Sequence, residues 1–311
     1  MFHSLRLSRP LATLCLLAAS FLAPQAFAET LSIKHSSGTT DVPVKPAKVA
    51  VLDWSVLDTL AKLDVEVVGI PSGTPPELLK QYRDERFSKV GTLFEPDYEA
   101  LKSLQPDLII IGRRAQGTYD EVAKYGTTID LTPTPTDLLG SVVNNTTILG
   151  QIFEKQDQAK VLTDKLEASV AELNTLTAGK GTGLTVLTTG GRMSAFGIGT
   201  RFGMIHDMFG VKQAVEGLTV GRHGHAVSFE YILEANPDWL FVMDRDAAIG
   251  RDGVAAQQLM DNELVAATNA GSKGQIVYLN PVNWYLLDNS GVGVMQDSVN
   301  TLIEAFSAAK P

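Results

Sequence analysis

Arginine is the residue type whose placement in this chain could do chemistry. Of the nine arginines beyond residue 28, seven fall where an apolar run ends or in glycine-rich stretches: Arg113, Arg114, Arg192, Arg201, Arg222, Arg245 and Arg251. A planar guanidinium presents paired donors to paired oxygens and can also lie on an aromatic ring. An acidic protein that gathers these groups at such places is equipped to hold an anion. The plainer reading is surface arginines paired with acids such as Asp244 and Asp246, pairs that contribute little. The stretch Gly221-Arg222-His223-Gly224-His225 adds two imidazoles two residues apart, a weak metal signal on its own. Trp284-Tyr285 follows Asn280-Pro281, where aromatic residues serve packing more often than ligand contact.

The elements that must position these groups come in two copies. From Glu99 the chain reads through Gln105-Pro106-Asp107 and an apolar run to Arg114; from Glu230 it reads through Asn236-Pro237-Asp238 and an apolar run to Arg245. In both copies Glu stands seven residues before Pro, and Arg eight residues after it. A short amphipathic helix should stop at Gln-Pro and Asn-Pro, because proline disfavours helical geometry in the residue before it. The apolar run then reads as a buried parallel strand. Parallel sheets present ligand-binding groups at their carboxyl ends, so Arg114 and Arg245 are expected to face one another across a groove between two α/β lobes. The coarse pattern agrees, with strand, helix, strand over 49–52, 57–63 and 65–70, and strands at 185–187 and 276–279. Between the halves, Ile148, Ile152, Phe153, Leu162, Leu166, Val170 and Leu173 recur at helical spacing, which predicts one long interlobe helix over 141–178. The expected fold is α/β: two similar lobes with parallel-rich sheets, 29–140 and 179–311, joined by that helix, with the ligand cleft between them.

Residues 1–28 read as a secretory signal peptide, with Arg6 and Arg9, the apolar stretch Leu11–Leu22 and the small-residue site Ala26-Phe27-Ala28. Its removal takes two of the 26 basic residues and none of the 35 acidic ones, moving the net charge from −9 to −11. It also removes Cys15, the single cysteine, so the mature protein has no disulfide, thiolate site or Cys nucleophile. No later segment approaches the roughly 20 apolar residues of a membrane span, and the acidic balance argues against nucleic acid. An exported, periplasmic monomer is expected. Enzyme signatures are missing: there is no Gly-x-Ser-x-Gly, no His-Glu-x-x-His, and no base for Ser194. The glycine-rich stretch 190–203 lacks the Lys-Ser/Thr ending of a phosphate-binding loop.

Several stretches resemble the periplasmic iron–siderophore binding proteins, in particular the catecholate branch that serves enterobactin-like and petrobactin-like ligands. They are Val51-Leu52-Asp53 with Leu57-Asp58-Thr59-Leu60, Pro106–Ile111 with Tyr119-Asp120, Ser194–Gly197 with Arg201–Asp207, Val220–Gly224, Asn236-Pro237-Asp238 with Asp244-Arg245, and Trp284-Tyr285-Leu286. The resemblance implies a two-lobed, helix-linked binding protein that hands its cargo to an inner-membrane ABC permease and its ATPase. It places three cleft arginines at Arg114, Arg201 and Arg245, and iron-binding His and Tyr at His223 and Tyr285. Arg113 and Arg222 are additional positive groups where the family has Gly and Thr or similar. Glu99 and Glu230 match acids that dock on permease arginines; an acid near a helix N-terminus explains them equally well.

The implied chemistry is coherent. Ferric iron is hard and prefers anionic oxygens, which catecholates supply; no intrinsic cofactor is implied, and Fe(III) arrives as the siderophore complex. Burying a hexadentate tris-catecholate complex of charge about −3 requires matching cations. A tetradentate bis-catecholate leaves two coordination positions, which His223 and Tyr285 would fill; Trp54 and Trp284 are candidates to stack on the catechol rings, and core packing explains them equally well. The alternatives are a same-fold protein for a hydroxamate siderophore, haem or cobalamin, which need fewer arginines, or an enzyme or a purely structural exported protein.

Overall fold

Short apolar runs bounded by Pro, Gly and polar residues, such as Val49–Val51, Leu108–Ile111 and Trp239–Asp244, become the buried central strands of two separate sheets. The structure is a computed structural model, and it describes residues 29–218, 221 and 223–309. The leader expected at 1–28 and the candidate Arg222 lie outside the described residues. A hairpin of β1 (Thr30–His35) and β2 (Gly38–Pro43) precedes the first sheet. That sheet is wholly parallel in the order β5-β4-β3-β6-β7, from β3 (Val49–Val51), β4 (Gly69–Ile70), β5 (Ser88–Lys89), β6 (Leu108–Ile111) and β7 (Thr128–Asp130). The second contains β8 (Thr182–Thr189), β9 (Arg192–Phe196), β10 (Lys212–Gln213), β11 (His225–Val227), β12 (Trp239–Asp244) and β13 (Ile276–Tyr278). Its order is β11-β9-β8-β12-β13, with β10 beside β8. Strands β8, β10, β12 and β13 are parallel, whereas β9 and β11 run antiparallel. Part of the stretch read as a glycine-rich loop is therefore a hairpin. Gly190 and Gly191, at φ 53° and 77°, make the two-residue turn that only such residues accommodate easily.

The duplicated motif has a clear physical basis. Helices Tyr98–Leu104 and Phe229–Ala235 are each seven residues long, capped by Asp97 and Ser228, whose side chains accept backbone N–H bonds from Ala100 and Tyr231. Both end on a left-handed residue before Pro, Gln105 at φ 50° and Asn236 at φ 39°; the stop is thus a left-handed cap rather than the extended residue that proline alone would favour. The Asp after each Pro stitches the sheet. Asp107 accepts the N–H of Lys48, just before β3, at 2.7 Å, and Asp238 accepts that of Thr182, which begins β8, at 2.9 Å.

The connector departs from expectation. It is not one helix but two, Leu138–Ile152 and Gln156–Thr177, broken at 153–155. Glu154 takes φ 53°, and Lys155 donates to the Gly150 carbonyl at 2.7 Å. The second helix then crosses so closely that a Cβ on Gly150 would lie 2.6 Å from that of Ala159. The longer helix still spans both halves. Ala159 packs in the N-terminal core, whereas Leu166, Val170 and Leu173 pack in the C-terminal one. The last helix, Val292–Ala308, divides in the same way, Val294 joining one core and Met295, Val299, Leu302 and Phe306 the other. Among the described residues no helix is long and apolar enough to cross a membrane.

Candidate ligand-binding site

The segment between β13 and the last helix carries the site. Residues Val282–Leu286 form a wide turn closed by Leu287 N–H donating to the Val282 carbonyl five residues back, at 2.9 Å. Such turns are rare and concentrate at functional positions. Asp288 and Asn289 follow, both left-handed at φ 51°, which costs on the order of 1–3 kcal/mol each for residues other than glycine. Buried Asn289 holds that geometry: its backbone N–H reaches the Asn283 carbonyl at 2.8 Å, and its side-chain oxygen accepts from Ser298 at 2.6 Å.

Three of the arginines converge on this turn. Arg114, arriving from the end of β6, donates to the Leu286 carbonyl at 2.6 Å and to that of Tyr285 at 3.3 Å. Arg201 donates through Nε to Asp288 at 2.8 Å and through Nη2 to Asp288 and to the Tyr285 carbonyl, the latter at 2.7 Å. Its guanidinium lies 4.7 Å from the ring centres of both Phe202 and Tyr285. Arg245, which follows β12, donates through Nε to the Tyr285 hydroxyl at 2.7 Å and lies 5.5 Å from that ring. Arg114 and Arg245 thus meet on one residue, the first at its backbone and the second at its phenol.

They do not face the same space. An open cavity of about 580 Å³ lies over the C-terminal sheet, and Arg192, Arg201, Arg245, Arg251, His223 and Tyr285 line it together with Met193, Ser194 and Phe202. Among the described residues no carboxylate lines it. Arg114 instead borders a tight space of about 20 Å³ between the lobes, with Asp53, Gly112, Arg113 and Asp288. Burial pushes the Asp53 carboxyl above its usual range, and the Arg114 guanidinium draws it back down. A second interlobe cavity, of about 650 Å³, lies on the other side of Arg201, walled by Leu138, Leu139, Ile198, Met204 and Met208 together with Arg113 and Asp288. Arg113 stands 3.7 Å from Asp288.

The remaining candidates separate cleanly. His223 is exposed on the rim of the 580 Å³ cavity, and Tyr285 forms part of its wall. For Trp54 and Trp284 the structure favours core packing over stacking on a ligand. They are 4% and 2% exposed, belong to the N- and C-terminal cores respectively, and line neither large cavity. Trp54 opens the helix that Asp53 caps, so its ring faces inward; Trp284 sits on the core side of the turn whose next residue, Tyr285, faces the cavity. Glu99 and Glu230 are exposed, each the second residue of its short helix, in equivalent places on the two lobes. Among the described residues no three His, Cys, Asp or Glu side chains cluster to hold a metal. Sequence reasoning missed Asp288, which ties arginines from both lobes; its only signal is an acid three residues beyond Tyr285. Arg192 and Arg251 were recognised as strand-end arginines but not as site residues.

With this geometry in place, likeness to known proteins becomes informative. Residues 49–282 match the model of the family described as periplasmic binding protein. The chain belongs to the periplasmic binding protein family. This binding protein is 38% identical over 264 residues, 83% of each chain, to the petrobactin-binding protein YclQ of Bacillus subtilis. The crystal structure of YclQ superposes with a TM-score of 0.83 at 35% identity, covering 89% of this chain and 99% of that one. The catecholate-siderophore binding protein VctP of Vibrio cholerae superposes at 0.82 with 30% identity, covering 90% and 100%. The family is one of substrate-binding proteins, not of enzymes, and its two-lobed α/β architecture is the one found here.

Proposed function

We propose that this protein captures ferric catecholate siderophores in the periplasm, as a monomer exported by a cleaved leader, and delivers them to an ABC permease. The observation that carries the reading is the 580 Å³ cavity, lined, among the described residues, by four arginines, one imidazole and one phenol and by no carboxylate. A ferric catecholate, of charge about −1 with two catechols on the metal and about −3 with three, needs that kind of wall, since an unpaired buried charge is prohibitive. Arg201 and Arg245 carry the first contacts to the chelate oxygens, and Arg114 holds the turn that presents Tyr285. His223 and Tyr285 fill the two positions a bis-catecholate leaves open on iron. Coordination to Fe(III) favours the phenolate of Tyr285, and Arg245 Nε, at 2.7 Å, stabilises that charge. Two relatives whose names specify catecholate or petrobactin ligands support the same class.

The test is a fluorescence-quenching titration with ferric bis-catecholate and, separately, with a ferric hydroxamate of similar size. Tight catecholate binding that weakens with salt, with hydroxamate bound at least tenfold more weakly, is the expected result; equal affinity would remove the proposal. Glu99 and Glu230 are proposed to dock on permease arginines. Reversing both charges should stop uptake while leaving ligand affinity intact, and a loss of affinity would assign them to folding instead.

A further inference from the structure

The positive charges of the 580 Å³ cavity are not equally compensated. Arg201 is paired with Asp288, and Arg245 has Asp246 Oδ1 at 3.9 Å as well as the Tyr285 hydroxyl. Arg192 and Arg251 line the same wall, and among the described residues neither has an ion pair or a side-chain hydrogen bond. Their two loops are joined through a single acid. Buried Asp246 accepts the N–H of Gly190 at 2.6 Å, in the turn that leads into Arg192, and its carbonyl accepts the N–H of Arg251 at 2.9 Å. Gly250, at φ 63°, makes the reversal that returns Arg251 toward the hairpin. The fold thus fixes the backbones of two guanidinium-bearing loops to one point and leaves their charge unanswered at the cavity.

We propose that Arg192 and Arg251 form an outer anion subsite, which takes a carboxylate of the bound chelate that is not coordinated to iron. This rests on the reading of the cavity as a ferric-chelate site. Arg201 and Arg245 address the oxygens around the metal; Arg192 and Arg251, from the two loops that Asp246 joins, address an acidic substituent on the chelator backbone. A guanidinium fork fits a carboxylate in a bidentate manner. Because both arginines are exposed, the contribution is screened by salt and acts as discrimination between ligands rather than as the bulk of the affinity.

The experiment compares one ferric bis-catecholate that carries a free backbone carboxylate with its primary amide, titrated into the full mature protein and into Arg192→Gln/Arg251→Gln, with circular dichroism to check the fold. The expected result is a preference of the parent protein for the acid of at least tenfold at low salt, shrinking with ionic strength and abolished in the double variant. Equal binding of acid and amide by the parent would overturn the subsite while leaving the siderophore reading intact. A preference that survives the double substitution would overturn the assignment to these two residues. Failure of the parent to bind either chelate would remove the reading on which the inference stands.

Discussion

The two lobes carry the same helix–Pro-Asp–strand–arginine unit and use it differently. In the N-terminal lobe Arg114 spends its donors on carbonyls of the 282–288 turn, beside the buried cap Asp53. In the C-terminal lobe Arg245 reaches a phenol on the wall of an open cavity. The sheets differ in step: one is wholly parallel, whereas the other carries an antiparallel hairpin that supplies Arg192 and a second wall. A duplicated frame therefore does not imply duplicated roles. The N-terminal copy holds the joint, and the C-terminal copy presents charge to the open cavity.

Substitution at the paired arginines should break the symmetry of effect. Arg245→Ala should weaken ferric catecholate binding by about 2–4 kcal/mol, the loss typical of one member of a charge pair, with little change in melting temperature. Arg114→Ala should lower the melting temperature by several degrees, through the loss of half-buried hydrogen bonds at the joint, and weaken binding less. Calorimetric melting and titration of the two variants decide the matter, and the opposite pattern would assign the roles the other way round.

Asp58 sharpens the N-terminal side of the contrast. It is buried, and its carboxylate accepts the N–H groups of Gly293 and Val294 at 2.8 and 3.0 Å, tying one lobe to the first turn of the last helix. Burial pushes its pKa from 3.8 to about 6. The folded state therefore keeps a proton that the unfolded chain loses, so this group's contribution is full below about pH 4 and declines as pH rises to about 6. The shift corresponds to at most about 3 kcal/mol. Asp58→Asn should flatten that slope in melting curves taken across the window; an unchanged slope would place its origin elsewhere.

Replacing His223 and Tyr285 together, by Ala and Phe, should weaken a bis-catecholate roughly 10–100-fold more than a tris-catecholate, the scale of effects at metal-ligating groups. Equal losses for the two ligands would exclude direct coordination. The smallest effect concerns Gly112, where a Cβ would lie 2.4 Å from the Asp53 carboxylate. Gly112→Ala should cost roughly 1–2 kcal/mol of stability, read from chemical denaturation, with affinity preserved.

Much of this was legible in the sequence because the signals are local. Pro after a short amphipathic helix marks where the helix stops, though not the left-handed cap that stops it or the Asp stitch beyond, and the spacing to Arg114 and Arg245 is fixed by strand length. The break in the connector was not legible: Phe153-Glu154-Lys155 contains neither Gly nor Pro, and the bend comes from the crossing at Gly150 and Ala159. Packing was one of two open alternatives for Trp54 and Trp284, and the sequence did not decide between them, since within one turn Trp284 and Tyr285 face opposite ways. Asp288 acts through tertiary contacts with Arg201, and Arg113 and Arg114 stand within 4 Å of it; no spacing rule reaches those.

Location of the iron itself is the most direct test. Crystals of the protein with a ferric bis-catecholate, measured at the iron absorption edge, should show the anomalous peak in the arginine-lined cavity beside the Tyr285 hydroxyl, within reach of Arg201 and Arg245. A peak in the other large cavity, among Leu138, Leu139 and Met204, would contradict the account.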